Sequence, residues 1–174
     1  MTLALSSLVA GRLSASMLIS RRLQRCGNDD VEVMELSPRD LPAVAHFLRT
    51  DPDADCDLVD LTAIDRLGRR GGRFVLVVVL CSRSHQTRAR LEVGLDDEHP
   101  AWPTLASVWP VASLYEREVM DLLGLVAEGH TNPRRLLLPE QFVGHPLRLD
   151  YPVEKFQSAV PEPDGAPQAI DGTR

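Results

Sequence analysis

The sequence predicts an α+β fold: a single domain with a small mixed or antiparallel sheet packed by helices, followed by an extended irregular C-terminal arm. Three observations carry that prediction. Short runs at 31–36, 58–65 and 88–95 read as strands, and the run at 74–80 is apolar throughout. Two stretches with helical apolar spacing, beginning near Ser37 and at Ala112, are interleaved with them. After Gly124 the periodicity stops, yet apolar residues continue between Pro133, Pro139, Pro146 and Pro152.

Residues 1–28 hold Leu5, Leu8, Val9 and Leu13 at helical spacing, which suits a first helix. The same stretch has Arg12, Arg21, Arg22 and Arg25, many serines and no acid, the composition of a transit leader. The domain proper runs over 29–124. Its first strand, 31–36, leads into a helix with Ser37 as N-cap, Pro38 at the first helical position and Asp40 three residues after the cap. Leu41, Val44, Ala45 and Leu48 give that helix its buried face. The acidic run 51–57 lacks the central glycine and closing glutamate of a calcium loop and reads as a solvated turn.

A strand at 58–65 and a Gly/Arg-rich turn come next. The apolar run 74–80 is expected as a central strand covered on both faces, paired as an antiparallel hairpin with the alternating run 88–95. Residues 102–109 suggest a short helix closed by Pro110. The helix 112–123 has Ser113 as a cap and Gly124 as its stop. Residues 125–155 form the arm. It carries Leu136, Leu137, Leu138, Phe142, Val143, Leu147 and Leu149, too apolar for a solvated linker. Such a segment cannot bury these residues on itself, so a partner's surface is the expected home. Residues 156–174 have the composition of a disordered tail.

Composition narrows the function. With 44% apolar and 25% charged residues, the chain is an ordinary globular mix. A net charge of −6 argues against nucleic acid as the partner, because phosphate binding needs a cationic surface. Cys26, Cys56 and Cys81 are scattered without metal-ligand spacing and read as reduced thiols. No apolar run approaches the ~20 residues a membrane helix needs.

The run SLYEREVMDLLGLVAEGH places Glu116, Glu118, Asp121 and His130 close together in sequence. A carboxylate–histidine metal site built on Glu118, Asp121 and His130 is one reading. Helical spacing argues against it, because Glu116 and Glu118 project from different sides. Arg117 and Asp121 stand at i, i+4 as an ordinary helix pair, and Tyr115, Val119 and Leu122 share a core-facing stripe. His130 and His145 each follow a glycine, Gly129 and Gly144, and suit hydrogen-bonded turns. Arg134, Arg135 and Arg148 collect positive charge on the arm, suited to bidentate pairing with a partner's carboxylates. There is no GxGxxG, P-loop, GxSxG or HExxH motif, so no catalytic, cofactor-binding or metal residues are assigned.

EREVMDLLGLVAEGH, then RRLLLPEQF, then GHPLRLDYP, with CDLVDLTAID and VWPVASLYERE upstream, together resemble the family of complex I C subunits. The resemblance covers about 31–152. It implies a non-catalytic structural subunit in the peripheral arm of a proton-translocating NADH–quinone oxidoreductase, required to assemble the quinone module. It implies no cofactor on this chain, with FMN, iron–sulfur clusters and quinone held elsewhere in the holoenzyme. The D, B and I subunits of complex I are the implied partners, and membrane association is indirect. The implied location is the cytoplasmic face of the bacterial inner membrane, with the mitochondrial matrix side as the alternative. Partner-binding residues carried over on the matching motifs are Glu116, Arg117, Glu118, Asp121, Gly124, Gly129, His130, Arg134, Arg135, Gly144, His145, Pro146, Leu147, Arg148 and Asp150. DLLG with PRRLLLPE also resembles the equivalent subunit of membrane-bound hydrogenase and formate hydrogenlyase complexes, the alternative assembly.

Overall fold

A computed structural model describes residues 4–26, 29–70 and 72–152. A five-stranded mixed sheet has the spatial order β1-β2-β5-β4-β3, built from β1 (Leu18–Cys26), β2 (Asp29–Leu36), β3 (Cys56–Asp65), β4 (Phe74–Ser82) and β5 (Thr87–Gly94). All its pairings are antiparallel except β2 with β5. Helices α1 (Leu5–Val9), α2 (Leu41–Thr50) and α3 (Ala112–Leu123) contribute to one buried cluster with Leu36, Leu61, Leu76, Val78, Leu80, Leu91 and Val93. These strand residues are cross-strand neighbours and so share a face. Val75 and Val77 are also buried, on the opposite face. There Arg22 pairs with Glu92 at 2.8 Å and Arg90 with the same carboxylate at 3.2 Å.

The strands at β3 to β5 and the helix 112–123 form as expected. Four local expectations change. Residues 18–26, read as helix or leader, form β1, because their pairing with β2 supplies what their weak periodicity does not. The first helix is one short turn, and a π-helical turn over Ala10–Ser14 follows it. The second helix starts later than Ser37. Pro42 lacks an N–H and fits only the first turn, so 38–40 close as a separate turn with Ser37 Oγ donating to Asp40 at 2.9 Å.

The expected helix at 102–109 is instead β6 (Ala101–Pro103) followed by one turn closed by Trp109 N–H on Leu105 carbonyl at 2.9 Å. Two prolines leave too few residues for a helix, and β6 finds a parallel partner in β7 (Val126–Glu128). The acidic loop 51–57 is laced to arginines: Arg83 reaches Asp55 at 2.7 Å and Asp57 at 3.2 Å, and Arg12 pairs with Asp51 and Asp53. The tail 156–174 lies outside the described residues.

Candidate partner-docking site

The site is built on α3 and on the arm that leaves it. The helix buries Ala112, Glu116, Val119, Asp121 and Leu123, while Tyr115 and Met120 pack partly against the core. The core stripe therefore includes a carboxylate where sequence spacing put Tyr115 and Leu122. Glu116 is fully buried and accepts from Leu105 N–H at 2.6 Å, Thr104 hydroxyl at 2.6 Å and Trp102 indole N–H at 3.4 Å. These contacts fix the 102–105 turn against the helix.

Gly124 ends the helix in the left-handed region with φ +69, donating to Met120 carbonyl. A Cβ there would lie 2.4 Å from the His145 ring, so conformation and close approach both demand glycine. The chain then turns through Gly129 and runs back along α3.

Asp121 is the anchor of that return. Its Oδ2 accepts the consecutive N–H groups of Leu136, Leu137 and Leu138 at 3.0, 2.8 and 2.9 Å, while Oδ1 takes Arg135 at 2.6 Å. Burial pushes this carboxyl up, but the Leu138 and Leu137 N–H groups, the Arg135 guanidinium and the Leu136 N–H outweigh it and hold it at about 2. Arg135 spends its other nitrogen on the carbonyls of Phe142 and Gly144 at 3.0 and 3.2 Å. His145 Nδ1 donates to Asp121 carbonyl at 2.8 Å. Gly144, at φ +98, lets the Tyr151 ring pass within 2.7 Å of where a Cβ would stand.

The remaining polar groups repeat this inward use. Arg117 donates to the carbonyls of Arg134 and Arg135 at 3.0 and 2.8 Å, not to Asp121 as the i, i+4 spacing suggested. His130 accepts Asn132 N–H on Nδ1 at 3.0 Å, which leaves the proton on Nε2 for the Ser113 carbonyl at 3.0 Å. Ser113 thus serves His130 and does not cap the helix. Arg148 lies over the Phe74 ring at 5.1 Å and pairs with Asp150 at 3.3 Å; Asp150 also holds Arg73 at 2.8 Å. Leu149 N–H reaches Asp65 Oδ2 at 2.9 Å. Asp65, Arg73 and Phe74 were missed as arm-holding residues. Their only sequence signal is an acid and a base at facing ends of two strands.

What faces outward is different in kind. Leu137, Val143, Leu147 and Leu149 are 60%, 73%, 58% and 63% exposed. Glu118, Gly129 and Arg134 are exposed too, and Arg134 makes no side-chain ion pair among the described residues. Arg135 and Arg148, expected to face a partner's carboxylates, pair within the chain with Asp121 and Asp150. Pro146 is half-buried and Leu147 exposed. No group of three or more acidic, histidine or cysteine residues is placed to hold a metal among the described residues.

Residues 34–157 match the protein-family model described as the respiratory-chain NADH dehydrogenase, 30 Kd subunit. The chain belongs to this family. Curated relatives agree. The C subunit of an NADH-quinone oxidoreductase from Roseiflexus sp. (strain RS-1) is 40% identical over 117 residues, 67% of each chain. Its counterpart from Aromatoleum aromaticum is 36% identical over 163 residues, 88% of this chain and 81% of the relative. Among solved structures, the trypsin-resistant fragment (1–134) of Nqo5 superposes with a TM-score of 0.59 at 25% identity, covering 74% of this chain and 99% of the fragment. As a 30 kDa-type subunit, the chain is part of the peripheral arm of an NADH–quinone oxidoreductase. These relatives lend nothing to the hydrogenase or stand-alone metalloenzyme alternatives. No helix among the described residues is long and apolar enough to cross a membrane.

Proposed function

We propose that this protein is a non-catalytic scaffold whose C-terminal arm docks onto the D subunit of complex I and helps to assemble the quinone module. The observation that carries the reading is the arm's division of labour. Asp121, Arg117, Arg135, His145 and Arg148 satisfy its polar groups internally, and Leu137, Val143, Leu147 and Leu149 are left in solvent. Four exposed aliphatic side chains on one short segment are costly in water and favourable against an apolar groove. A relative from Methylococcus capsulatus supports the D subunit as the partner. It is named as a combined C/D subunit, and the match covers 75% of this chain but 23% of that protein's length. A C-like part is thus joined in one chain to a D-like part.

The B and I subunits are the further neighbours in this reading, and FMN, the iron–sulfur clusters and quinone belong to other chains. The cytoplasmic face of the bacterial inner membrane is the proposed location, with the matrix side the organellar equivalent. Attachment to the membrane is through the complex. A Leu147→Ser, Leu149→Ser double variant tests the arm. Complex purified through another subunit should bind this chain at least about a hundredfold more weakly, since each lost leucine burial is worth about 1.5–3 kcal/mol and two are lost. NADH–quinone reductase activity should fall with it. The isolated chain's melting temperature should stay put. Full retention of the double variant would refute docking by the arm.

A further inference from the structure

The five-stranded sheet has a second unpartnered feature, far from the arm. Among the described residues strand β1 pairs only with β2, so its outer edge, nine residues long, presents backbone donors and acceptors that no other described strand takes up. The arm is held at the other end of the sheet, through Asp65 of β3 and Phe74 of β4. Four strand spacings, about 19 Å, separate the two edges.

Leu23 stands opposite Glu32 and Arg21 opposite Met34, so both side chains lie on the sheet face that the helices cover. Leu23 is nonetheless 72% exposed, and Ile19, at the bulge between Leu18 and Ser20, is 63% exposed. A cleft of about 360 Å³ opens between α1 and β1, lined among others by Ser6, Ser7, Arg21, Leu23 and Glu32.

The charge of this edge is unbalanced. Behind it, three acids of β2 and β5 are engaged, Glu32 with Ser6, Glu35 with Ser20 at 2.7 Å and Glu92 with Arg22, while the exposed Asp30 stands opposite Arg25. Arg21 and Arg25 are exposed and make no ion pair among the described residues. Strand β1 itself carries Arg21, Arg22 and Arg25 and no acid, on a chain whose net charge is −6. A second copy is a poor occupant. Pairing the same edge with itself would bring arginine strands together, and like charges facing across a ladder are destabilising.

We infer that the β1 edge is a second docking surface, which takes an extended, acidic segment of a neighbouring subunit by strand addition. Backbone hydrogen bonds to the free edge give the attachment, Ile19 and Leu23 give apolar contact, and Arg21 and Arg25 select for carboxylates. Together with the arm, it makes this protein a bridge between two neighbours at opposite edges of one sheet. The inference rests on the chain's place in a multi-subunit complex but not on the arm's pose.

The test uses intact, purified complex carrying a photo-crosslinking amino acid, p-benzoylphenylalanine, in place of Leu23, with a parallel preparation carrying it in place of Leu147. Mass spectrometry of the Leu23 product should map to an acidic segment of another subunit. Adding Arg21→Glu and Arg25→Glu should lower that product about tenfold, the effect of placing like charges at an interface. The isolated double variant should remain folded and melt only slightly below the parent, because position 25 faces Asp30. A Leu23 product with lipid or with a second copy of this chain, or none at all, overturns the inference. So does a yield that the charge reversal leaves unchanged. Crosslinking from position 147 but not 23 would sink the edge proposal alone; the converse would sink the arm reading alone.

Discussion

In the sheet domain the holding is done by apolar side chains: Leu36, Leu76, Leu80, Leu91 and Val93 are fully buried against three helices. In the arm it is done by polar groups, because one carboxylate, Asp121, gathers three successive backbone N–H groups and an arginine. The domain turns its apolar residues inward and the arm turns several of its own outward. The contrast separates stability from attachment. Changes in the domain's core should cost folding, changes to the arm's anchor should cost arm order, and changes to its outer leucines should cost only binding.

The largest expected effect tests the first part. Leu91→Ala empties the middle of the sheet's buried face and should lower unfolding free energy by about 3 kcal/mol, checked by denaturant titration. A change below about 1 kcal/mol would mean that the helical layer does not pack on β5 as described.

Next in size is the anchor itself. Asp121→Ala strands Arg135 and three N–H groups, and should cost about 2–4 kcal/mol of arm ordering. Protease sensitivity confined to residues beyond 125 would report it, while the near-ultraviolet signals of Trp102 and Trp109 persist. Acid should mimic the variant. The Asp121 carboxyl is depressed in the folded chain to about 2 from an unfolded value of about 3.9. Its contribution is therefore complete above about pH 4 and lost as pH falls toward 2. Asp150, held at about 2 chiefly by Arg73, follows the same course.

The smallest effect is at Arg134, whose exposed side chain has no ion pair among the described residues. Arg134→Ala should leave melting within about 0.5 kcal/mol of the parent. Any loss of attachment to the complex, read by co-purification, would then belong to the interface alone.

Part of this organisation was legible in the sequence for physical reasons. The apolar run at 74–80 and the glycine after Leu123 are local signals, and the strand, the helix and the stop at Gly124 form where they fall. The resemblance at EREVMDLLG and GHPLRLDYP identified the family. Strand β1 was not legible, because LISRRLQRC has no clean alternation and depends on β2 for its shape. Three-residue strands such as β6 and β7 are too short to leave a period. The anchoring role of Asp121 was hidden for another reason. Its partners at Leu136–Leu138 are backbone N–H groups, which carry no sequence signature. For the same reason nothing in the sequence marked the bonds Arg135 makes to the carbonyls of Phe142 and Gly144.

All of these expectations require that the arm is built on its own helix before any partner arrives. Amide hydrogen exchange of the isolated, full-length chain measures this at Leu136, Leu137 and Leu138. A preformed arm gives slow exchange at all three, lost together in Asp121→Ala while β4 and β5 stay protected. Fast exchange at these amides in the unaltered chain, becoming slow only in the assembled complex, would contradict it.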